Sequence, residues 1–295
     1  MADFDAQRHR SGERRLRRVP CTDGLYGWRQ HGVTMLELDK IHCGDNCDLL
    51  GQLPRECIDL VVTSPPYDDL RTYGGHSWDF FGVAWQLKRV LKPGGVIVWV
   101  VADATKDGSE TGTSMEQALH FKRLGLNLHD TMIYRKANYT PLTHNRYEQE
   151  WEYCFVLSAG KPRVFTPKKM PCTYAGQKTW GEPNMYKDNS GKLTRVKQTV
   201  INDEKIAGNV FTYEVGSRKT GDIAHPAMFP YELATDHIST WSNPGDLVLD
   251  PFTGSGTTCK AAKELGRNFL GFEINPEYCK IAERRIAQGV LDFAS

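Results

Sequence analysis

The feature that most constrains the fold is a strand–helix–strand pattern between residues 58 and 101. The apolar runs 58–62 and 96–101 are typical of parallel strands that are buried on both faces. Residues 78–91 between them carry an apolar stripe at helical spacing, and Pro93-Gly94-Gly95 stops the helix. Such units cross over with a right-handed connection. The pattern therefore predicts an α/β fold built on a parallel sheet.

The alternation of strands and helices continues downstream, is interrupted at residues 158–222, and resumes near the end of the chain. We predict a helix at 115–124, strands at 126–134 and 151–157 that close the edge of the sheet, a helix at 231–241, a strand at 247–249, a helix at 257–265, a strand at 269–273 and a helix at 276–286. The chain is thus expected to be one sheet domain interrupted by a loop-rich insert.

Composition excludes several classes of protein. With 295 residues and 40% apolar content, the chain can bury the core of one large domain. No apolar run reaches membrane-spanning length, and the N-terminus lacks the apolar stretch of a secretory signal. The eight cysteines form no Cys-x-x-Cys pair, which favours reduced thiols in a cytosolic protein over disulfides or zinc. We therefore expect no metal site.

A glycine turn follows the predicted strand 247–249. In the string Asp250-Pro-Phe-Thr-Gly-Ser-Gly-Thr-Thr258, Gly254 and Gly256 permit a tight turn and close approach of the backbone to a ligand. Glu273 ends the next predicted strand, where an acid can bind both ribose hydroxyls. A dinucleotide fingerprint would need a third glycine in the helix, where this chain has Cys259, and Asp250 would repel a pyrophosphate. Because Asp250 would instead attract an ammonium group, we predict S-adenosylmethionine in preference to NAD.

A proline turn follows the first buried strand. Two prolines in Ser64-Pro65-Pro66-Tyr67 fix the backbone, so the carbonyl between them points in a set direction. That carbonyl and the oxygen of Ser64 can accept hydrogen bonds from an exocyclic NH₂, and Tyr67 offers a ring face for stacking a base. Alone, the string is equally typical of a rigid loop. Together with the glycine turn it predicts methyl transfer to the amine of a nucleobase.

In their order along the chain, these strings resemble the amino-type DNA methyltransferases, specifically their permuted β group, in which the catalytic motif precedes the cofactor motif. The resemblance spans residues 35–290 and is carried by residues 42–45, 63–67, 145–152, 225–230, 250–258 and 271–274. It implies a Rossmann-like methyltransferase fold whose mostly parallel sheet has one antiparallel strand, with an inserted target-recognition region. The implied divisions are a basic N-terminal arm (1–34), the catalytic half (35–157), the target-recognition insert (158–222) and the cofactor-binding half (223–295).

The resemblance also implies the roles of single residues. Ser64, Pro65, Pro66 and Tyr67 would hold the target amine. S-adenosylmethionine would be bound by Asp45 at the adenine, Glu273 at the ribose, Asp250 at the amine, Phe252, Gly254 and Gly256 at the methionine, Pro251, Ser255, Thr257 and Thr258 in the rest of the loop, and His225 and Phe229 beside the methionine end.

The insert is expected to contact DNA, although a solvated surface loop has a similar pattern. It carries twelve Lys and Arg against six Asp and Glu, interleaved with six aromatic residues. The net charge of the whole chain is only +1, so attraction to DNA must be local. We predict phosphate contacts at Lys168, Lys169, Arg195, Lys197, Arg218 and Lys219.

In the resembled family a Ser-Pro-Pro-Tyr string usually accompanies methylation of cytosine N4, and an Asp-Pro-Pro-Tyr string that of adenine N6. We therefore expect N4-cytosine methylation at a short site in double-stranded DNA, with base flipping, in the cytoplasm of a bacterial, archaeal or phage-infected cell. N6-adenine methylation and a catalytically silent DNA-binding regulator stay open as alternatives. A cognate restriction endonuclease acting on the same site also stays open, and it would not be a stable partner.

Overall fold

The computed structural model describes residues 36–67, 78–138, 146–178, 185–187, 190–195, 199–215 and 230–288. Within them the chain forms β1 (Lys40–Cys43), α1 (Asn46–Gln52), β2 (Ile58–Thr63), α2 (Phe80–Val90), β3 (Leu91–Val101), β4 (Thr105–Lys106), β5 (Ser109–Glu110), α3 (Thr113–Arg123), β6 (Asn127–Lys136), β7 (Trp151–Ser158), β8 (Lys169–Pro171), β9 (Met185–Lys187), β10 (Leu193–Arg195), β11 (Glu204–Ile206), β12 (Val210–Tyr213), α4 (Tyr231–Trp241), β13 (Leu247–Asp250), α5 (Thr257–Glu264), β14 (Asn268–Glu273) and α6 (Pro276–Ala287). No helix among the described residues is long and apolar enough to cross a membrane.

An eight-stranded sheet organises these elements, in the order β1-β14-β13-β2-β3-β7-β6-β12. Every neighbouring pair is parallel except the two pairs that involve β7. β7 is therefore one reversed strand in a mostly parallel sheet, and the predicted fold class is confirmed. The segments predicted as helices in the described residues are all helical, with ends that agree to within two residues.

Two layers of helices cover the sheet and bury its apolar runs. Helices α1, α2 and α3 pack on one face around Trp99, Phe121 and Phe272. Helices α4, α5 and α6 pack on the other face around Val98 and Phe269. All six residues of β2 and all four of β13 are buried, because these central strands are covered on both sides.

The buried run of β2 contains one carboxylate, Asp59, at the amino end of the central strands. Its oxygens accept hydrogen bonds from Lys92 Nζ at 2.7 Å, from Arg163 Nη2 at 2.6 Å and from the amide of Leu247 at 3.0 Å. Burial alone would raise the pKa of Asp59, but the Leu247 amide and the two cations outweigh it and lower the pKa. The side chain therefore links β2, β3 and β13 as an ionised group.

The Pro93-Gly94-Gly95 string lies within β3. The helix before it ends at Val90, as the sequence predicts to within one residue, but the strand begins at Leu91. Register between β2 and β3 then jumps by several residues, because Leu91 pairs with Ile58 while Val96 pairs with Leu60. The string is thus an irregularity at the start of the strand.

One edge of the sheet differs from the expectation. The predicted strands 126–134 and 151–157 exist as β6 and β7, but the edge strand is β12, which pairs in parallel with β6. Its four residues alternate exposed and partly buried positions, and only Tyr213 is buried. A run that short carries too little periodicity to be found from sequence. The segment 158–222 therefore contributes one strand to the main sheet, besides the small antiparallel pairs β8–β11 and β9–β10.

Candidate active site

The proline turn and the glycine turn lie side by side at the carboxyl edge of the sheet. Their strands, β2 and β13, are parallel neighbours. The chain leaves β2 through α2 on one face toward β3, and leaves β13 through α5 on the other face toward β14. Open α/β sheets bind ligands at such a switch point, in the crevice beyond the strand ends. The topology alone therefore marks the gap between these two turns as the candidate site.

Direct hydrogen bonds join the two turns. Thr63 Oγ1 donates to Asp250 Oδ1 at 2.7 Å, and Thr258 Oγ1 donates to the carbonyl of Val62 at 3.2 Å. From α1, Asn46 Nδ2 donates to the carbonyl of Pro251 at 3.3 Å. Both turns are thus held in one rigid unit, although 187 residues separate Thr63 from Asp250.

Asp250 is more deeply buried than the sequence suggests, with 1% of its surface exposed. Burial raises the pKa of Asp250 to about 6, against the hydrogen bonds from Thr63 and the amide of Phe252 and the nearby hydroxyl of Thr258, while the charge of Glu273 raises it further. Its second oxygen, Oδ2, is buried and has no hydrogen-bond partner among the described residues. An unpartnered carboxylate oxygen of this kind suits a cationic or hydrogen-bonding ligand group.

The glycine turn is shaped by its backbone. Gly254 and Gly256 have φ of +52° and +85°, in the left-handed region that favours glycine. A Cβ on Gly256 would lie 3.0 Å from the Cβ of Ala282 on α6. The turn thus brings the start of α5 against α6 more closely than any other residue type would allow.

Glu273 ends β14 and supports the same turn. Its Oε2 accepts from the amide of Gly254 at 2.9 Å and its Oε1 from the amide of Asn275 at 2.8 Å. The carboxylate is partly exposed at the carboxyl end of β14, next to the glycine turn. Asp45 lies at the end of the neighbouring strand β1, is exposed, and caps α1 by accepting from the amide of Asp48 at 3.2 Å.

The remaining predicted cofactor residues divide into two groups. Phe252 is partly exposed, and its ring packs edge-on against Trp78 with centroids 4.8 Å apart. Ser255, Thr257 and Thr258 are buried, and Ser255 accepts hydrogen bonds from Arg285 through both its carbonyl and its hydroxyl. These three side chains therefore support the turn from inside the protein, and their contact with the cofactor stays a prediction. Pro251 is also buried.

The proline turn holds Ser64 and Tyr67 in contact. Ser64 Oγ and Tyr67 Oη are 2.8 Å apart, and Tyr67 Oη donates to Glu152 Oε2 on β7 at 2.7 Å. The other oxygen of Glu152 is paired with Lys136 Nζ on β6 at 2.8 Å. Burial and the charge of Glu152 raise the pKa of Tyr67 well above its ordinary value of 10. The phenol is therefore a neutral donor.

Glu152 and Lys136 have no role in the sequence-based assignment. Glu152 falls within the string 145–152 that carries the family resemblance, but 85 residues separate it from Tyr67. The signal that was available is an acid near the start of an otherwise apolar strand. Asp59 is also an acid near the start of an otherwise apolar strand, but it links strands of the sheet. This pattern alone therefore does not distinguish a residue of the site from a structural one.

Some of the residues predicted to bind the cofactor or DNA lie in parts of the chain that the structure does not describe. His225, Phe229, Lys197, Arg218 and Lys219 lie outside the described residues. Arg195 ends β10, and its side chain is outside the description.

Two predicted phosphate contacts are already paired within the protein. Lys168 Nζ lies 2.7 Å from Asp236 on α4, and Lys169 Nζ lies 3.4 Å from Glu204 on β11. Both lysines therefore have acidic partners within the protein, and their contact with DNA phosphates stays a prediction.

Known proteins share both the sequence and this architecture. The sequence model of a family described as DNA methylase matches residues 58–284. The orphan methyltransferase M.BamHII of Bacillus amyloliquefaciens is 47% identical over 240 residues, which cover 79% of this chain and 90% of that protein. TTHA0409 of Thermus thermophilus, solved in complex with S-adenosyl-L-methionine, is 28% identical with a TM-score of 0.56 and is matched over 86% of this chain and 97% of its own. The PvuII DNA methyltransferase, described as cytosine-N4-specific, is similar in fold, with a TM-score of 0.60 at 22% identity over 86% of this chain and 87% of its own.

Proposed function

The chain belongs to the DNA methylase family whose model spans residues 58–284, and we propose that it transfers a methyl group from S-adenosylmethionine to the exocyclic N4 amine of cytosine at a short site in double-stranded DNA. The observation that carries the proposal is the hydrogen bond between Thr63 and Asp250. It joins an amine-binding turn to a nucleoside-binding turn at the switch point of the sheet.

The residues of the glycine turn fit the proposed cofactor. The unpartnered Oδ2 of Asp250 suits its ammonium group, Glu273 suits its ribose, and Asp45 at the next strand end suits its adenine. The positive φ of Gly254 and Gly256 leaves the backbone of the turn open to close approach. Bound there, S-adenosylmethionine supplies a methyl group on a positively charged sulfur.

The proline turn orients the nucleophile. The backbone carbonyl of Pro65 and the oxygen of Ser64 accept hydrogen bonds from the target NH₂, which localises the lone pair of the nitrogen toward the crevice. Tyr67 stacks on the base. A base paired inside a duplex cannot reach this turn, so the target nucleotide must be flipped out of the helix. No covalent protein nucleophile is needed, because alignment of the reacting groups supplies most of the rate enhancement.

Ser64 is the basis for preferring cytosine. In the family that the chain resembles, a serine at the head of this string usually accompanies methylation of cytosine N4. We propose that residues 158–222 contain the target-recognition region, with β12 anchoring that segment to the sheet. The enzyme modifies DNA without cutting it. A restriction endonuclease for the same site would be a separate protein and not a stable partner.

The test is methyl transfer from labelled S-adenosylmethionine into DNA of mixed sequence, followed by identification of the methylated base. We expect N4-methylcytosine with the wild type and a loss of at least about 100-fold with Ser64→Ala. N6-methyladenine would overturn the choice of base and leave the cofactor and fold intact. DNA binding by the wild type without any transfer would favour a silent DNA-binding regulator.

A further inference from the structure

Four side chains form a continuous hydrogen-bonded chain that leads from the proline turn into the sheet. Ser64 contacts the hydroxyl of Tyr67 at 2.8 Å, Tyr67 contacts Glu152 at 2.7 Å, and Glu152 contacts Lys136 at 2.8 Å. Glu152 is 13% and Lys136 is 23% exposed, so the carboxylate end of the chain is largely shielded from water. Hydrogen bonds in such surroundings are stronger than on the surface.

The chemistry of the groups fixes the direction of every hydrogen bond in this chain. An ionised carboxylate only accepts and an ammonium only donates. Tyr67 must therefore donate its single hydroxyl proton to Glu152, and its oxygen accepts a hydrogen bond from Ser64. Because Ser64 donates its single hydroxyl proton to Tyr67, only the lone pairs of its oxygen face the crevice.

We propose that Glu152 is a positioning residue for methyl transfer: through Tyr67 it turns Ser64 into an obligate hydrogen-bond acceptor for the target amine. The inference rests on the proposed function, because it concerns the same turn. It is independent of whether the amine belongs to cytosine or adenine. Glu152 itself acts through Tyr67 and does not touch the base.

This polarity has a consequence for specificity. An acceptor-only oxygen favours a base with an NH₂ at the reacting position and disfavours a base with a carbonyl oxygen there, because two acceptors would face each other. Uracil differs from cytosine, and hypoxanthine from adenine, by this exchange of oxygen for NH₂. Glu152 thus helps the site to distinguish amino bases from their oxygen analogues.

The variant Glu152→Gln should reverse the chain. Lys136 can only donate, so the glutamine carbonyl will turn toward Lys136 and its NH₂ toward Tyr67. Tyr67 then accepts from the amide and donates to Ser64, which is left with a proton to point at the base. Adding Lys136→Met removes the donor that forces this orientation, so the double variant should recover the native direction.

The experiment compares the wild type, E152Q, K136M, the double variant E152Q/K136M and the control Glu150→Gln. Glu150 is partly exposed, pairs with Arg135 at 3.3 Å, and has no described side-chain contact with the turn, so its substitution removes the same charge without touching the hydrogen-bonded chain. The readouts are the single-turnover rate of methyl transfer, the Kd for S-adenosylmethionine, and the ratio of Kd values for duplexes that carry the methylated base or its oxygen analogue. Thermal unfolding monitors folding.

We expect E152Q to lower the transfer rate about tenfold or more and to bring the Kd ratio close to one, with the cofactor Kd within about twofold. E150Q should stay near wild type, K136M should keep the wild-type Kd ratio because Glu152 still accepts from Tyr67, and E152Q/K136M should recover most of the rate that E152Q loses. A glutamate that only supported the fold would not be rescued by a second substitution. Should E152Q not fold, Tyr67→Phe gives the same test of the Kd ratio, because Ser64 is then free to point its proton at the base.

The outcomes separate this inference from the function on which it rests. Absence of transfer by the wild type would overturn both. Transfer by the wild type with an unchanged rate and Kd ratio in E152Q would overturn the inference alone. A double variant as slow as E152Q would also overturn it.

Discussion

At the scale of single residues, Asp250 has the most demanding position, because one carboxylate both joins the two turns and keeps an oxygen without a hydrogen-bond partner. Oδ1 is held by Thr63 and by the amide of Phe252, while Oδ2 is buried without a partner among the described residues. Its pKa, raised to about 6, reflects this imbalance. A cationic ligand group that contacts Oδ2 would stabilise the ionised form.

Cofactor affinity should therefore depend on pH through Asp250. Above about pH 6 the carboxylate is ionised and attracts an ammonium group; below it, binding must first displace a proton, so Kd should rise about tenfold for each pH unit. The ligand-free fold responds with the opposite sign, because a raised pKa adds stability at low pH that is lost as pH rises through 6. Calorimetric titration with S-adenosylmethionine between pH 5 and 8 checks the affinity.

The control for this titration is Asp250→Asn, which has no charge to titrate. We expect weaker binding than wild type at pH 8 and a nearly flat dependence on pH. An equally steep dependence in the variant would assign the proton to another group.

Single-residue roles could be predicted where a motif encloses them and not where partners come from distant strands. Ser64, Tyr67 and Asp250 could be singled out because their strings are distinctive, and the structure brings their two turns together. Glu152 was missed because its contact with Tyr67 exists only after β7 is placed two strands from β2. The pairing of Lys168 with Asp236 was missed for the same reason, since a basic segment gives no sign of which cations are already balanced.

At the scale of secondary structure elements, helices α2 to α6 and the central strands could be predicted from the sequence because their burial leaves a clear apolar pattern, whereas α1 has no predicted counterpart. β2 and β13 are entirely buried, and their apolar runs predict them as strands. β12 is short and half exposed, so its place at the sheet edge depends on tertiary contacts that no local pattern encodes. Two elements allow quantitative tests, the glycine turn before α5 and the ionic link at the start of β2.

Gly256→Ala should destabilise the protein more than an equivalent change elsewhere. Gly256 and Gly266 both have positive φ, +85° and +72°, so alanine costs about 1–2 kcal/mol of backbone strain at each. At Gly256 the new Cβ also meets Ala282 at 3.0 Å, whereas at Gly266 the nearest heavy atom within reach is Pro244 Cβ at 4.0 Å. Overpacking adds about 1–3 kcal/mol.

Urea denaturation of the two variants measures this difference, and Gly266→Ala is the matched control. We expect G256A to have the lower free energy of unfolding and weaker S-adenosylmethionine binding, while G266A binds normally. Equal stability of the two variants would show that α6 shifts to accommodate the added methyl group.

Asp59→Asn should weaken the link between β2, β3 and β13. Its charged partners Lys92 and Arg163 are 36% and 48% exposed. We therefore expect the free energy of unfolding to fall by about 2 kcal/mol at pH 7, less than is typical when a fully buried ion pair is broken. Because the pKa of Asp59 is lowered in the folded protein, its contribution is present at neutral pH and is lost as pH falls through that lowered value. Urea denaturation at pH 7 and at a pH below 3.8, the ordinary pKa of an aspartate, measures both effects.

The comparison variant is Glu37→Gln, which breaks the exposed pair with Lys40 and should cost less than about 0.5 kcal/mol. A gap between wild type and D59N that widens on acidification would contradict the assignment of an ionised Asp59.

At the scale of the whole molecule, DNA binding must come from local charge, because the chain has 37 Lys and Arg against 36 Asp and Glu. Ion pairs within the protein reduce the cations that remain available, as Lys168 and Lys169 illustrate. Sequence composition therefore overstates the positive surface of the insert. Composition agrees with DNA as the substrate of the matched family, and the residues that contact DNA stay a prediction.

Two double variants test this distinction. K168A/K169A should change DNA affinity by less than about twofold and leave the slope of log K against log salt unchanged, because both charges are balanced internally. R218A/K219A should weaken binding and flatten that slope, provided these positions contact phosphates as the sequence predicts. Filter binding or fluorescence anisotropy at several salt concentrations measures both, and a flattened slope with K168A/K169A would restore the first assignment.

The edge strand β12 sets a boundary for exchanging the proposed target-recognition segment between relatives. Residues 158–222 do not form a detachable loop, because Val210–Tyr213 are hydrogen-bonded to β6 and the hydroxyl of Tyr213 donates to Asp236 on α4. A chimera that grafts a foreign segment across the full range would strip a strand from the scaffold and expose the flank of β6. Junctions placed before Asn209, which keep this strand native, define the exchangeable cassette.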